Sequence, residues 1–471
     1  MSSRTPQGVN PPQGEVGRQN APSPTRPASA TRRVVLEEWS TTGPQQDARL
    51  RFANGAVDVG RYPDLWKRID EVNRQRRVEI LVVRDGLRVT TTSWVGTIGL
   101  GELTLLIRPK IAPEYIPTFV RYALGISTFP PASRTSSPLH ETGFLDLLAT
   151  AFLEEVDAVL AAGLFHDYKQ TQAVLTMPRG TPLFSQMALK PLGTRLAVPC
   201  RFSHRTPELP LNLLLGAALS AIQYGIQDRR LRFEFHSRAT LLQELCGSIP
   251  LSFALLAQAK AALDRRTSYY EPAVRFAELL LRGLGSAFTE VEQERLPSFL
   301  FDMNALFEQF VARLCREHAP TGLRIETQES MKDAYRYASN PHRWQLPRLR
   351  PDIVAYRKTA TGQQEVPCLV LDTKYKLLQG KRPSPADLYQ LTLYSLAFGR
   401  EHTVPTRIVF PTLTATAEAA PPRLEFVGLG ERQSPASIDL MGLCLPQVAR
   451  ALQSRSRSTL QDIVQSLLQE P

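Results

Sequence analysis

Two acidic residues and a lysine in the last third of the chain have types and spacing that suit phosphodiester hydrolysis. Asp352 lies in RLRPDIVAY and Asp372 in CLVLDTKYK, and each accompanies a short aliphatic run that predicts a buried strand. Adjacent strands can direct both carboxylates to one point, where Mg²⁺ takes oxygen ligands while water attacks the phosphate. Lys374 shares the strand face of Asp372, and its ammonium can orient or help deprotonate the water. These residues predict a metal-dependent nuclease centre.

An acidic residue two positions before a lysine is an uncommon pattern in this chain. With 45 acidic residues and only ten lysines, about one such pair is expected by chance. Two occur. The other, Asp167-Tyr168-Lys169, follows a helical stretch and has no Pro-Asp pair closely upstream. An isolated match at Asp372 would indicate a salt-bridged strand end, but Asp352 upstream and the flanking helices favour the nuclease.

Composition indicates a soluble globular protein of two or three domains, because 471 residues with 43% hydrophobic content supply ordinary cores. The net charge of +11 and the isoelectric point near 9.5 fit a polyanionic partner. General basicity from an arginine-rich proteome is the alternative explanation.

The cysteines indicate a reducing compartment. They are odd in number, widely separated and never spaced as C-x-x-C, so we expect buried thiols and not zinc ligands or disulfides. They are Cys200, Cys246, Cys315, Cys368 and Cys444. No apolar run reaches membrane-spanning length and the N-terminus has no hydrophobic signal segment, so we expect a cytoplasmic protein without membrane contact.

The chain divides into four regions of an α+β multidomain protein. Residues 1–33 are rich in Pro, Ser and Gln, which predicts a disordered tail. Residues 34–112 are predicted to be mainly β, with Asp85-Gly86 as a hairpin signal. Residues 113–297 are predicted to be mainly helical, and residues 298–471 form the nuclease domain.

Several segments of the middle region are predicted in more detail. The segment 143–163 predicts a helix that ends at Gly163. Tyr168, Arg179-Gly180 and Asn212 lie where elements join, so they either fix turns or meet a partner, and the turn interpretation is favoured.

The nuclease domain has the pattern helix, three strands, helix, strand. MNALFEQFV predicts the first helix, and LRIETQE, RPDIVAYRK and CLVLDTKYK predict the strands. Ser384, Pro385 and Asp387 suit the start of the second helix, which places Gln390 and Tyr394 on one face. TRIVFP predicts the last strand of this αβββαβ core, and two helices follow near 443–453 and 458–468.

This order, with Pro351-Asp352 and Asp372-Thr373-Lys374, resembles the PD-(D/E)xK restriction-endonuclease fold. MNALFEQFV, LRPDIVAY, LVLDTKYK and DLYQLTLYS are similar to consecutive motifs of the McrC family, the nuclease subunit of McrBC modification-dependent restriction systems. VGTIGLGELTLLIRPKI and CRF…LPLNLLLGAAL resemble the N-terminal and middle portions of that family, so the resemblance runs through most of residues 80–411. It implies a role in antiphage defence.

The resemblance implies roles for the central residues. Asp352 and Asp372 match the metal ligands, with the Thr373 carbonyl as a further ligand, and Lys374 matches the catalytic lysine. The expected cofactor is Mg²⁺, with Mn²⁺ as a possible substitute.

Three helical residues are also implicated. Glu308 matches an acidic residue that supports the metal ligands. The alternative interpretation is that Glu308 is a solvated charge on the helix surface. Gln390 matches a residue that can hydrogen-bond the water or the phosphate. Helix-face packing is an equally good interpretation of Gln390 and the better one for Tyr394.

The chain lacks the nucleotide-binding motif G-x-x-x-x-G-K-[ST], since Gly380-Lys381 has neither the upstream glycine nor the following Ser or Thr. We therefore expect no nucleotide bound by this chain. The resemblance implies a separate McrB-like hexameric AAA+ ring, a GTPase or ATPase, on which the N-terminal β domain docks. Arg108 and Lys110 are candidate contacts, with a charged sheet edge as the alternative.

Three functions follow from these observations. The first is a Mg²⁺-dependent endonuclease that cuts double-stranded DNA carrying modified bases, of the methylcytosine type, when a partner motor brings it there. The second is a non-enzymatic regulator that stimulates the AAA+ ring and uses the nuclease fold as a scaffold. A nuclease acting alone on branched or single-stranded DNA is less favoured, because a long part of the chain is not nuclease.

Overall fold

The computed structural model describes residues 32–52, 63–100, 103–126, 143–187, 197–284, 298–331, 334–335, 348–358, 364–376, 382–399, 402–414, 422–428 and 435–470. The strands in chain order are β1 (Arg32–Glu37), β2 (Thr41–Thr42), β3 (Val78–Val83), β4 (Gly86–Thr91), β5 (Trp94–Leu100), β6 (Leu103–Arg108), β7 (Asp167–Leu175), β8 (Thr181–Pro182), β9 (Val198–Thr206), β10 (Phe299–Asp302), β11 (Leu323–Thr327), β12 (Ile353–Lys358), β13 (Glu365–Thr373), β14 (Thr406–Thr412), β15 (Arg423–Phe426) and β16 (Ala436–Cys444).

The α-helices in chain order are α1 (Pro63–Arg74), α2 (Ile116–Ala123), α3 (Phe144–Ala162), α4 (Phe184–Met187), α5 (Pro210–Ile222), α6 (Arg229–Cys246), α7 (Phe253–Ala261), α8 (Glu271–Leu284), α9 (Met303–His318), α10 (Pro385–Gly399), α11 (Leu445–Gln453) and α12 (Arg457–Leu468). The protein is therefore a mixed α+β chain, as the sequence predicts.

A six-stranded sheet carries the predicted site residues. Its strand order is β11-β12-β13-β14-β16-β15; β13, β14 and β16 are mutually parallel, and the remaining neighbours pair antiparallel. Helix α9 packs on one face and α10 on the other. Along the chain, α9, β11, β12, β13, α10 and β14 follow the order predicted from the sequence, whereas β15 and β16 were not predicted.

Alternation along the central strands divides the apolar side chains between two cores. Ile353 and Leu371 belong to the large core that includes α9, whereas Val354 and Val370 belong to a smaller core with α10. Because side chains alternate between the faces of a sheet, Asp352 and Asp372 are directed to the α10 face.

The N-terminal region contains the predicted hairpin, with its turn one residue earlier than predicted. Val83 pairs with Gly86, so Arg84 and Asp85 form the connection and Gly86 belongs to β4. A Cβ atom on Gly86 would lie 2.2 Å from the Leu50 carbonyl oxygen, so close backbone approach explains this glycine better than turn geometry does. Helix α1 in this region was not predicted.

The boundary predicted at residue 298 is too early. Strand β10 completes the N-terminal sheet, whose order is β1-β6-β5-β10, because Phe299–Asp302 pairs antiparallel with β5. The elements of the six-stranded sheet and its flanking helices begin only with α9. At the other end, β1 starts at Arg32, two residues before the predicted start of order, and residues 1–31 of the predicted tail lie outside the described residues.

The middle region contains the predicted helices and an additional sheet. Helix α3 ends at Gly163 as predicted, and α5 to α8 cover the other apolar stretches. Strands β7 and β9, nine residues each, pair antiparallel along their whole length, with β8 beside β9. DYKQTQAVL has no regular alternation of polar and apolar residues, so little in the sequence indicated this sheet, which was not predicted. We call this three-stranded sheet, with its connections, the β7–β9 arm.

Two predictions from composition can be compared with the structure. All five cysteines are free; Cys200, Cys246 and Cys315 are buried as predicted, whereas Cys368 and Cys444 are only half-buried. Within the described part of the chain, the helices are too short or too polar to cross a bilayer.

The N-terminal sheet meets the region of the six-stranded sheet through a buried carboxyl group. Glu38, 1% exposed, accepts hydrogen bonds at Oε1 from the Lys110 N–H at 2.6 Å and the Tyr375 hydroxyl at 2.8 Å. Burial raises the pKa of Glu38 to about 7, although both hydrogen bonds act against the rise. The folded state therefore favours the protonated acid.

This buried acid predicts a specific dependence of stability on pH. The folded protein holds the Glu38 proton more tightly than the unfolded chain, so stability is present below pH 4.5 and is lost as pH rises to about 7. Replacing Glu38 with Gln removes this dependence, on the order of 2–3 kcal/mol in total. Thermal unfolding of wild type and Glu38→Gln between pH 4.5 and 8 measures it. Glu79→Gln, at an exposed position on β3, is the control, and parallel curves for wild type and Glu38→Gln would show the expectation to be wrong.

Candidate active site

The two predicted carboxylates lie opposite each other at the ends of neighbouring strands. Ile353 on β12 pairs with Leu371 on β13 in antiparallel register, and extending the register by one residue places Asp352 opposite Asp372. Cross-strand neighbours on one face have Cβ atoms about 4.5–5.5 Å apart. The sheet register thus brings together two acids that are twenty residues apart in sequence.

Asp352 is fixed by the residue after Asp372. Its Oδ2 atom accepts hydrogen bonds from the Thr373 N–H at 2.6 Å and the Thr373 hydroxyl at 2.7 Å. The backbone carbonyl of Asp352 accepts the Gln328 N–H at 2.9 Å. One carboxylate oxygen of Asp352 is therefore committed to orientation, and Oδ1 makes no hydrogen bond within the described part of the chain.

Asp372 is the most buried acid of the site, at 2% exposure. Burial, and next the neighbouring Asp352 carboxylate, raise the pKa of Asp372 to about 6, against the opposing effect of Lys374. Its Oδ2 atom lies 2.7 Å from the Lys374 Nζ atom, yet it accepts no well-aligned hydrogen bond from a described residue. Within the described part of the chain, the Lys374 ammonium compensates the charge of this buried oxygen.

Lys374 lies between carboxylates and is largely shielded from solvent. Its Nζ atom is 2.7 Å from Asp372 Oδ2 and 3.7 Å from Asp387 Oδ1. Burial acts to lower the pKa of Lys374, but these carboxylates, Asp372 above all, outweigh burial and raise it above the ordinary value. The side chain is therefore an ammonium ion at neutral pH.

Asp387 is a site residue that was recognised from the sequence only as part of a helix start. It forms a reciprocal cap with Ser384: the Ser384 hydroxyl donates to Asp387 Oδ2 at 2.7 Å, and the Asp387 N–H donates to Ser384 Oγ at 3.2 Å. Burial acts to raise the pKa of Asp387, but Ser384 and Lys374 lower it. The capping geometry was readable from the sequence, whereas the approach to Lys374 required the tertiary fold.

Gln390 and Tyr394 lie on the α10 face that covers the carboxylates. Gln390 Oε1 accepts from Lys374 Nζ at 3.4 Å, and Gln390 Nε2 donates to the Tyr394 hydroxyl at 2.7 Å. The Tyr394 hydroxyl in turn donates to the Arg350 carbonyl at 3.1 Å, and the ring is 3% exposed within the α10 core. Tyr394 is thus a packing residue that orients Gln390, and Gln390 contacts the lysine.

Glu308 approaches the site indirectly from α9. It is half-buried and accepts a hydrogen bond from the Gln328 side-chain amide, whose carbonyl accepts from Arg350. Burial raises the pKa of Glu308, the Gln328 hydrogen bond opposes it, and the Asp352 charge raises it further. Glu308 is therefore a half-buried, hydrogen-bonded acid whose pKa is affected by the charge of Asp352, and its role in the metal shell stays a prediction.

A family model described as "McrBC 5-methylcytosine restriction system component" matches residues 89–411, more than half of the chain. The chain belongs to this family. The family predicted from the sequence motifs is thereby confirmed. A comparison with curated protein sequences gives no match.

The fold is similar to solved structures of McrBC assemblies. One, a refined half-complex from the tetradecameric assembly of Thermococcus gammatolerans McrB AAA+ hexamers with bound McrC, matches with a TM-score of 0.57 and 15% identity over 92% of this chain and 100% of that chain. A cryo-EM structure of the Thermococcus gammatolerans McrBC complex matches with a TM-score of 0.42 and 14% identity over 61% of this chain and 88% of that one. The first match shows that the fold is shared.

The second acid–x–lysine pattern of this McrBC-family chain lies far from the site on strand β7. Lys169 makes a surface ion pair of 3.2 Å with Glu208, and Asp167 accepts the N–H of Tyr168. Asn212 is buried and donates to the Phe165 and Pro207 carbonyls, which supports the turn interpretation. Gly180, with φ of +72°, likewise fixes a turn, whereas Tyr168 is exposed.

The candidate partner contacts have different surroundings from those expected. Arg108 ends β6, an internal strand between β1 and β5, so the alternative of a charged sheet edge is wrong. Lys110 is half-buried and its N–H binds Glu38. Gly380-Lys381, considered for nucleotide binding, lies outside the described residues.

The residues present fit a hard divalent cation. Among the described residues, the structure contains no cluster of three or more His, Cys, Asp or Glu side chains arranged for metal binding. Mg²⁺ commonly uses only one or two carboxylates and keeps several waters. Asp352 and Asp372 provide that number, and Asp352 Oδ1, for which the described residues supply no hydrogen bond while Oδ2 is held by Thr373, is the atom that fits a bound cation.

Cation binding at this site is testable without any activity. A ligand that binds only the folded state stabilises it, by about 2.7 kcal/mol at a hundred times the dissociation constant. We expect Mg²⁺ to raise the melting temperature of the wild type and not of Asp372→Asn. The metal-free variant should melt no lower than wild type, because a buried charge is removed. Asp167→Asn, in the surface acid–x–lysine pattern, should keep the Mg²⁺ response, and an equal response in Asp372→Asn would contradict the assignment.

Proposed function

We propose that this chain is the McrC-type nuclease subunit of a modification-dependent restriction complex. It hydrolyses phosphodiester bonds of double-stranded DNA carrying modified bases, with Mg²⁺ as cofactor, when docked on a separate AAA+ GTPase ring. The observation that carries the proposal is the convergence of Asp352, Asp372 and Lys374 at one end of the sheet in a chain of the McrBC family. The order of elements α9 to β14 supports a PD-(D/E)xK core.

The site residues divide the chemistry among them. Asp352 and Asp372, with the Thr373 carbonyl, would hold Mg²⁺, which supplies charge neutralisation and an activated water when bound. Thr373 keeps Asp352 oriented through its N–H and hydroxyl. Glu308, through its charge near Asp352, supports the acidic shell that attracts the cation.

Lys374 contributes a positive charge to the proposed chemistry. Nearby carboxylates, Asp372 above all, raise its pKa, so the side chain is an ammonium in the metal-free chain. As an ammonium it can orient the attacking water and offset charge developing on the phosphate. Gln390 holds the ammonium from the α10 side, and when DNA is bound its amide is free to exchange partners with a phosphate oxygen or water.

The β7–β9 arm is the best candidate for docking on the ring. It exposes four large apolar side chains, with 72% of Tyr168, 65% of Val174, 82% of Met177 and 72% of Phe184 accessible. Exposed apolar clusters on soluble proteins commonly mark interaction sites. The N-terminal β region, in which the family resemblance places docking, has Arg108 and Lys110 beside buried structure, so the arm has the stronger case.

The Asp372→Ala variant should separate DNA cleavage from stimulation of the partner GTPase. Removing the buried ligand in Asp372→Ala should lower the cleavage rate by about a thousandfold, because the cation contributes several kcal/mol to the transition state. Stimulation of the partner GTPase should persist. The assay combines the chain, an AAA+ protein encoded beside it, a methylated plasmid, GTP and Mg²⁺.

Other results of that assay identify the competing functions. If Asp372→Ala cleaves DNA at the rate of the wild type, the assignment of the active site is wrong. GTPase stimulation without any wild-type cleavage would favour the non-enzymatic regulator, and Mg²⁺-dependent cutting with no nucleotide would favour a nuclease that acts alone.

If the β7–β9 arm docks on the AAA+ ring, substitutions of its exposed apolar side chains should weaken binding to the ring. Tyr168→Thr/Met177→Ser should weaken binding to the AAA+ ring by about tenfold or more, as anchor residues do, and should leave the melting temperature unchanged because both side chains are exposed. Interferometry with immobilised ring measures the dissociation constant. Phe233→Ser, at an equally exposed apolar position on α6 (71%), is the matched control. If Tyr168→Thr/Met177→Ser binds the ring with the affinity of the wild type, the β7–β9 arm is not the docking site.

A further inference from the structure

Two consecutive residues after β1 contact the two residues that follow Lys374. The Tyr375 hydroxyl donates to Glu38 Oε1 at 2.8 Å, across 337 positions of sequence. The Trp39 ring centre lies 5.2 Å from the Lys376 Nζ atom, a distance at which an ammonium is attracted by an aromatic face. The N-terminal sheet therefore holds the chain directly beyond the proposed catalytic lysine.

The chemistry of Glu38 is poorly explained by stability. The side chain is 1% exposed, its Oε2 atom is buried without a hydrogen bond from a described residue, and no described cation forms an ion pair with it within 4.0 Å. A carboxyl group in such a place destabilises the fold relative to a well-packed neutral residue. In natural proteins, residues that lower the stability of the fold are concentrated at functional positions.

The turn that carries Glu38 is held rigidly. Trp39 has φ of +54°, a left-handed conformation that is strained for a bulky residue and persists where the surroundings impose it. Here the Trp39 N–H donates to the Thr92 carbonyl at 3.2 Å, and the Thr91 hydroxyl donates to the Glu37 carbonyl at 2.6 Å. Glu38 is thus a fixed point and not a mobile side chain.

Tyr375 links the fixed Glu38 side chain to the main chain next to Lys374. The ring is 3% exposed and packs against Phe307 on α9, with centres 6.0 Å apart, whereas Lys374 extends to the α10 face. Because neighbouring side chains of an extended chain point to opposite faces, anchoring Tyr375 orients the main chain from which Lys374 extends. The Lys374 N–H also donates to the Val409 carbonyl at 2.9 Å.

We infer that Glu38 is a positioning residue for Lys374: by accepting the Tyr375 hydroxyl it fixes the main chain at the lysine and keeps the ammonium beside Asp372. The inference rests on the proposed nuclease function and adds to it a residue from the opposite end of the chain. The acceptor atom and not the charge performs this role, so a neutral acceptor should replace it.

Substitutions that remove either the acceptor or the donor test the inference. Glu38→Met keeps about the length of the side chain and replaces the carboxyl oxygens with a sulfur that accepts hydrogen bonds only weakly, and Tyr375→Phe keeps the ring without the donor. Each should lower kcat by about tenfold, since small displacements of a reacting group have effects of this size or larger, with KM for methylated DNA unchanged. The double variant should be no slower than either single variant, and Glu38→Gln should restore the rate.

A chemical readout decides the question independently of cleavage. Acetic anhydride labelling followed by mass spectrometry measures the reactivity of individual lysines in the folded protein. In Tyr375→Phe and Glu38→Met, labelling of Lys374 should rise at least about twofold as its contacts loosen, while that of Lys169 stays constant. This result is obtained even if wild type fails to cut, an outcome that would refute the proposed function and leave the positioning role to be decided by labelling.

Tyr270→Phe is the matched control, because it also removes a buried hydroxyl, one that donates to Asn212 Oδ1 at 2.6 Å in the helical region. It should lower the melting temperature without changing kcat or Lys374 labelling. The inference is overturned if Tyr270→Phe slows cleavage as much as Tyr375→Phe does. Unchanged labelling of Lys374 in both single variants, additive losses of kcat, or a Glu38→Gln variant as slow as Glu38→Met would overturn it as well.

Discussion

Repulsion between two carboxylates on neighbouring strands is the constraint around which this end of the sheet is organised. Asp352 and Asp372 are placed opposite each other by the register of β12 and β13, and the surrounding structure reduces the cost of that placement. Thr373 satisfies one oxygen of Asp352 with two hydrogen bonds, and Lys374 places a positive charge beside Asp372. A residual excess of negative charge remains, which is the condition that attracts a hard cation.

Much of the site was predictable because local rules determine it. Period-two alternation places Lys374 on the face of Asp372, and the Ser384 to Asp387 cap sets the start of α10 where the sequence indicates. Gln390 and Tyr394 then share a face by helical periodicity. Each of these relations spans fewer than about ten residues, a distance over which sequence patterns are reliable.

Relations across long sequence distances were not predictable. No local pattern near Phe299–Asp302 indicates that this segment pairs with β5 and not with the strands that follow it. The contact of Glu38 with Tyr375 depends on how two sheets pack, and Asp387 meets Lys374 only because α10 crosses β13 at that point. Strands β7 and β9 were missed for another reason. No side chain of β7 is buried, and both strands mix polar and apolar residues without the apolar runs by which strands are recognised.

Strand β10 is translated long after its partner β5, and this delay affects how the protein folds in the cell. Strand β5 cannot acquire its last partner until residue 302 has left the ribosome, and the turn after β1 must wait for Tyr375. Folding that depends on contacts between distant parts of a chain is slow and leaves strand edges open during synthesis. A nascent chain therefore cannot assemble the candidate site early, so the arrangement of Asp352, Asp372 and Lys374 forms only after most of the protein has been translated.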